Sequence, residues 1–473
     1  MSTDSDETKQ GHTDYHSIAL NALNLAEELG ATQTEIVVRQ GYRRAIEIRN
    51  SLISGSQQQS MSGVGIRAYI GNKLGISSNT LVTEASITDA VEKAVKLAKL
   101  APEDRNFRTL PGVLEQSAPH IPDLYDDEIA DMEADRFIDI GNQIIDGSKV
   151  ETEGRLVIGG QLSVSVITDN IVNSLGVDVK DSYTSAFSFV NNSIMVDPTN
   201  VGSGFEVYLT RKLDKGVDFG DIGRTASEKA KKTLGAREIK TKKLPVLFDQ
   251  RATGQSLQAI VGNGVNGTNV MLGTSYFADK IGNELGVEGL NITDNPHVAG
   301  GFGSTPVDAE GVVTQVIKYM DKGVLVNYAT NSYTANKLGI ENNAHAQKMG
   351  FSGKPRCGIW QLHVDAGDGS YTQMLEDMRE GIFMESGINA SGGSQNISAK
   401  INRGFYVKDG EIQHAVKNTM IGSDVFSFLK GINGISKELR VEFGSQTPAI
   451  LIDEMSISGI TDTKSSPRSM MGI

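Results

Sequence analysis

Apolar positions along the chain fall into stretches of recognisable period. Over residues 15–29, Ile18, Ala22, Leu25 and Leu29 recur at three- and four-residue spacing and Gly30 follows, which predicts an amphipathic helix with a glycine stop. Charged and aliphatic residues then alternate over 35–39 and again over 44–49, predicting two half-buried antiparallel strands. Residues 63–70, the Gly71-Asn72 turn and residues 74–78 predict a hairpin. A second helix is predicted from Ser86, with Asp89 completing a capping box and Ala90, Val91, Ala94, Val95 and Ala98 as its buried stripe. A third is predicted over 127–145, with acids in its first turn and Gly147 just past its end.

Residues 155–210 are rich in Val, Ile, Ser and Thr and predict several antiparallel strands. A helix over 221–234, stopped by Gly235, leads into a charged stretch at 237–243 that marks a domain boundary. Residues 244–249 predict a short buried strand, followed by a helix through Gln258. Turn residues at Asp321-Lys322-Gly323 and Asp409-Gly410 predict hairpins. No repeat of fixed period occurs, which argues against a solenoid or propeller. The expected fold is α+β in two domains, 13–236 and 237–460, each a mostly antiparallel sheet with packed helices. Residues 1–12 and 461–473 are expected to be flexible tails.

The 473 residues carry a net charge of −13, with basic residues interleaved among acids, so direct nucleic-acid binding is not expected. A single cysteine fits a reducing compartment, and the polar, acidic opening does not read as a signal or transit peptide. No apolar stretch approaches the roughly 20 residues of a membrane span. A cytoplasmic protein is expected.

Candidate chemistry is sparse. Gly262, Gly264 and Gly267 match G-x-G-x-x-G, but they end a helical stretch some distance after a strand, where glycine serves helix termination or close packing better than dinucleotide binding. His363 and Asp365 share a strand face, which is compatible with a metal but lacks a third ligand. Cys357 beside Arg356 has no histidine partner motif and reads as a buried structural thiol. The richest block runs over 291–315, with Gly303 and Ser304 in a Gly-Gly-x-Gly-Ser run and then Asp308, Glu310 and Gly311. Asp308 and Glu310 share a face if extended. The block reads either as a peptide- or partner-docking loop or as a tight turn whose acids cap nearby amides.

Three segments in this order, Gly65-Ile-Arg-Ala-Tyr-Ile-Gly-Asn-Lys-Leu-Gly75, the block from Asp294 to Gly311, and Gly404-Phe-Tyr-Val-Lys-Asp-Gly-Glu-Ile412, resemble the TldD/PmbA or modulator-of-gyrase family. The resemblance spans nearly the whole chain. It implies a two-component cytoplasmic metallopeptidase in which a TldD-like subunit carries zinc on an H-E-x-x-x-H helix. Laid on that pattern, Gln258 and Asn263 replace the histidines and Ala259 the glutamate, while the flanking glycines remain. The cysteine the TldD kind carries near its C-terminus has no counterpart over 438–446. Of the family's S-T-G-N-A-like stretch only Asn343 and Ala344 correspond.

Neutral amides are poor zinc donors, and Ala259 supplies no base to activate a water. The resemblance therefore implies the metal-free TldE/PmbA kind of subunit, with no cofactor of its own and zinc in a TldD-like partner. Gly303, Ser304, Asp308, Glu310 and Gly311 are the expected docking residues, for a peptide substrate or the partner. Two further readings stay open: a non-enzymatic homo-oligomeric peptide-binding or scaffold protein, a homodimer for instance, and an enzyme using His363, Asp365 or Cys357.

Overall fold

The computed structural model describes residues 15–113, 117–388 and 394–459; the expected tails at 1–12 and 461–473 lie outside the described residues. Helix α1 (Tyr15–Glu28) ends ahead of Gly30, whose φ of 98° suits glycine. Strand β1 (Gln33–Arg49) then runs unbroken through the gap between the two strands read from the alternation. Its central Gly41 is the reason: a Cβ there would lie 2.3 Å from the Val166 carbonyl, so only glycine lets the neighbouring strand stay paired along this length. Strands β2 (Leu52–Ser60), β3 (Gly63–Ile70) and β4 (Lys73–Asn79) follow, the last two forming the expected hairpin.

Helix α2 (Glu84–Leu100) starts two residues before Ser86. Thr83 is its cap, and Ser86 is the reciprocal partner in the capping box rather than the cap itself. The expected third helix divides into α3 (Asp127–Ala130) and α4 (Ala134–Ser148), so Gly147 lies inside the helix. A Cβ on Gly147 would sit 2.0 Å from the Gly220 carbonyl of α5 (Phe219–Lys232), so the glycine serves a helix crossing and not a stop. Between α4 and α5 come β5 (Arg155–Asn173), β6 (Asp178–Asp197) and β7 (Asn200–Thr210).

The first sheet has the order β4-β3-β1-β5-β6-β7, with β2 on β1, and every pairing is antiparallel. Strand alternation sorts its two faces. Ile36, Val38, Ile46 and Ile48 of β1 face the helices, the first two in a core with α1 and α2, the others in a core with α4 and α5. The intervening residues Glu35, Val37 and Arg39 point to the opposite face, which receives the C-terminal half of the chain. Phe351 docks there over Gly63 and Gly65, where a Cβ would lie 2.0 Å from its ring and 1.8 Å from its carbonyl.

The C-terminal half begins with β8 (Lys242–Phe248) and α6 (Gln250–Val265). Its 12-stranded sheet is mostly antiparallel. The parallel pairs are β8 with Glu380–Met384 and Leu362–Val364 with Ser445–Ser458. The Lys322-Gly323 and Asp409-Gly410 pairs have φ of 50° and 76°, and 52° and 80°, as tight hairpin turns require. Leu257, Ile260, Val261 and Val265 of α6 are fully buried in the large core over this sheet. The protein is thus α+β. Among the described residues no helix is long and apolar enough to cross a membrane.

Candidate functional site

Helix α6 starts at a well-made cap, the Asp249 carboxylate accepting the Ala252 N–H at 2.6 Å. It continues to Val265, beyond the Gln258 end read from the sequence. Gly264 lies within it because a Cβ there would meet the Phe277 ring at 2.3 Å, and Gly267 lets the Ala329 carbonyl approach to 2.4 Å of the same position. The G-x-G-x-x-G glycines are thus packing residues. Gln258 is exposed, Ala259 half-buried, and the Asn263 amide turns back along the helix to donate to the Ala259 carbonyl at 2.7 Å.

These residues do not fit zinc. Two neutral amides and a methyl group offer no anionic or imidazole donor, and one amide is already committed to the helix backbone. Among the described residues no group of three or more His, Cys, Asp or Glu is placed to hold a metal ion.

Gln258 opens onto a cleft of about 400 Å³ between the two halves. One wall is the outer face of the first sheet, with Arg39, Asp169, Asp181, Tyr183 and the nearby Arg211. The other carries residues 302–305 and 307–309 with Trp360. Arg39 and Asp169 form a two-pronged ion pair at 2.7 and 2.6 Å. Gly303 and Ser304 both line the cleft. Gly303 must be glycine, since a Cβ would lie 2.2 Å from the Trp360 carbonyl. The Ser304 hydroxyl donates to the Val298 carbonyl at 2.7 Å and accepts from the Gln361 amide at 2.6 Å.

Asp308 and Glu310 do not share the face of an extended stretch. They sit in a turn in which the Gly311 N–H reaches the Asp308 carbonyl at 2.9 Å, with Gly311 at φ 77°. Both acids cap amides. Asp308 accepts the Glu310, Val312 and Ala346 N–H groups at 2.9, 3.0 and 3.1 Å, and Glu310 accepts that of Ser332 at 2.9 Å. Burial, reinforced by the Glu310 carboxylate and resisted by those amides, pushes the Asp308 carboxyl up to about 8.

Glu310 also reaches across to Arg67 of β3 at 3.4 Å. Arg67 grips Glu35 of β1 with two hydrogen bonds, and Lys348 binds the same Glu35 at 2.5 Å. Two acids and two bases, contributed equally by the two halves, thus form one buried network. Burial works to raise the Glu35 carboxyl, but the Arg67 and Lys348 charges and hydrogen bonds outweigh it and hold it at about 2.

His363 gives no metal site: its Nε2 bonds the Gly444 carbonyl at 2.9 Å. Cys357 is buried against the Thr334 hydroxyl at 3.2 Å, and burial pushes the thiol up, away from nucleophilic character. Asn343 is buried and ties two neighbouring loops, accepting the Thr330 N–H at 2.8 Å. Sequence reading passed over Glu35, Arg39, Arg67, Arg211 and Lys348. The available signal was charge on the non-helical face of the strands at Glu35, Arg39 and Arg67, a pattern that solvent exposure explains as readily.

A model of the PmbA/TldA metallopeptidase C-terminal domain matches residues 241–459, and one of the PmbA/TldA metallopeptidase domain 1 matches residues 34–98. The chain belongs to the PmbA/TldD family of metallopeptidase-like proteins. It is 26% identical over 447 residues to the "Metalloprotease PmbA homolog" of Haemophilus influenzae, covering 93% of this chain and 94% of that protein. The crystal structure of TldE from Thermococcus kodakarensis has the same fold, with a TM-score of 0.82 at 20% identity over 93% of this chain and all of that one. A Bacteroides thetaiotaomicron protein described as a candidate modulator of DNA gyrase superposes with a TM-score of 0.83 at 19% identity, over 95% of this chain and all of its own.

Proposed function

We propose that this chain is the metal-free, TldE/PmbA-type subunit of a two-component cytoplasmic zinc peptidase, pairing with a TldD-like subunit that holds the zinc and cleaves peptides or unfolded segments. The observation that carries this reading is the state of α6. Its fold-defining glycines are in place and close-packed, whereas the positions that would ligate metal hold Gln258 and Asn263, with Ala259 where a base would stand. A helix kept in form but emptied of donors suits a supporting subunit better than a catalytic one. The cleft beside Gln258, with Gly303 and Ser304 in its wall, is where such a subunit would meet peptide. Asp308, which also lines the cleft, and Glu310 and Gly311 behind it would support docking of peptide or partner chiefly by shaping this loop. The alternative, a homo-oligomeric scaffold without catalytic partner, has no observation of its own in its favour.

The test is reconstitution. A paralogue bearing H-E-x-x-x-H is assayed on unstructured peptides with and without this chain. Chelator-sensitive hydrolysis that rises on adding this chain, with a heteromeric mass on native measurement, is the expected result. Hydrolysis by this chain alone, or a stable homo-oligomer indifferent to the paralogue, contradicts the reading.

A further inference from the structure

In the cleft between the two halves, one cation stands apart. Arg211 is only 9% exposed, yet among the described residues no carboxylate lies within ion-pair distance of it. Its guanidinium donates only to backbone carbonyls, to Phe302 at 2.5 Å and Thr184 at 3.4 Å, and its buried Nε has no partner. The other cations lining the cleft are paired: Arg39 with Asp169, and Lys348 with Glu35. The rings of Tyr183 and Phe302 lie 4.4 and 4.8 Å from the guanidinium carbon, holding its plane as a fixed fork. Asp181 faces the same cleft and attracts Arg211 across it, but no hydrogen bond or close ion pair joins the two. Burial and neighbouring Asp169 push the Asp181 carboxyl up against that attraction.

The Nε is closed off from the cleft, but Nη1 and Nη2 each spend only one N–H on a carbonyl. A desolvated guanidinium with such donors to spare calls for an oxyanion whose two oxygens match its planar fork. We propose that Arg211 anchors a carboxylate of a peptide lying in this cleft, either the C-terminal carboxylate or an acidic side chain. The peptide nature of the ligand rests on the proposed function; the carboxylate preference rests on Arg211. The apolar surfaces of Phe302 and Trp360 beside it would receive the adjoining side chain.

The probe is an N-terminally labelled tetra-alanine peptide, made as free acid, as C-terminal amide, and as an amide with one alanine replaced by glutamate. Binding to the full chain is read by fluorescence anisotropy. The free acid or the glutamate peptide should bind about tenfold or more tighter than the plain amide, and whichever does so names the source of the carboxylate. R211Q should abolish the difference and R211K should keep part of it, a discrimination that a merely structural arginine would not create. If R211Q melts early, Gln258→Trp is used instead, since it crowds the cleft from an exposed position and should weaken the tight binder most. Equal binding of all three peptides, no binding, or a preference that survives both variants overturns the inference. Reconstitution with a zinc-bearing partner is read separately, so a subunit that supports hydrolysis without carboxylate preference refutes this site alone.

Discussion

Glu35, Arg67, Glu310 and Lys348 have side chains 1%, 6%, 1% and 4% exposed, and they come from both halves of the chain. Charges so deep are tolerated only because each is paired, and removing one partner leaves the others uncompensated. Glu35→Gln leaves Arg67 with only its 3.4 Å contact to Glu310 and strands Lys348, and should destabilise the protein by about 3–5 kcal/mol. Adding Lys348→Met to that variant should recover part of the loss, since one stranded charge goes with it. Chemical denaturation of the single and double variants checks both. The same carboxyl sets an acid limit. Its native value of about 2 lies below the ordinary 4.5, so its contribution is complete above 4.5 and disappears as the pH falls toward 2. Glu35→Gln should flatten that part of the stability profile.

The crossing of α4 and α5 turns on Gly147 against Gly220, backbone to backbone. Replacing Gly147 by alanine improves helix propensity by about 1 kcal/mol. It also drives a methyl to 2.0 Å from a carbonyl oxygen that cannot swing aside. Overpacking of this kind costs about 1–3 kcal/mol, so the crossing dominates and Gly147→Ala should lower the thermal midpoint. This glycine also shows where reading the sequence runs out. Apolar spacing located α1 and α2, because each buries a regular stripe, while a glycine stop marked α5 and turn residues marked the hairpins. Gly147 was read as a stop and Gly262 as a stop or a packing residue, and Gly41 was not singled out, yet in each case the element continues past the glycine, at Gly147 by one residue. There glycine answers a neighbour far away in sequence, Val166, Gly220 or Ile359, which no local pattern discloses.

Across the whole molecule, the first sheet uses one face for its helices and the other to hold the C-terminal half, and the cleft opens along that join. On α6 the motif singled out Gln258, Ala259 and Asn263 as vacated metal positions, and of these Gln258 lines the cleft. The opposite wall of the cleft was not legible, since Arg39, Asp169, Tyr183 and Arg211 come from four separate places and converge only through sheet register. The loop with Gly303 and Ser304 was legible as a close-approach segment, whereas the inward turn of Asp308 and Glu310 depended on Ala346 and Arg67, distant in sequence. The account as a whole stands on α6 being a helix of metallopeptidase form without metal donors. The most direct measurement is the zinc content of the purified, isolated chain after equilibration with zinc and removal of the excess. The account predicts none retained in stoichiometric amount; one firmly held ion per chain, lost when Gln258 and Asn263 are both changed to alanine, would contradict it.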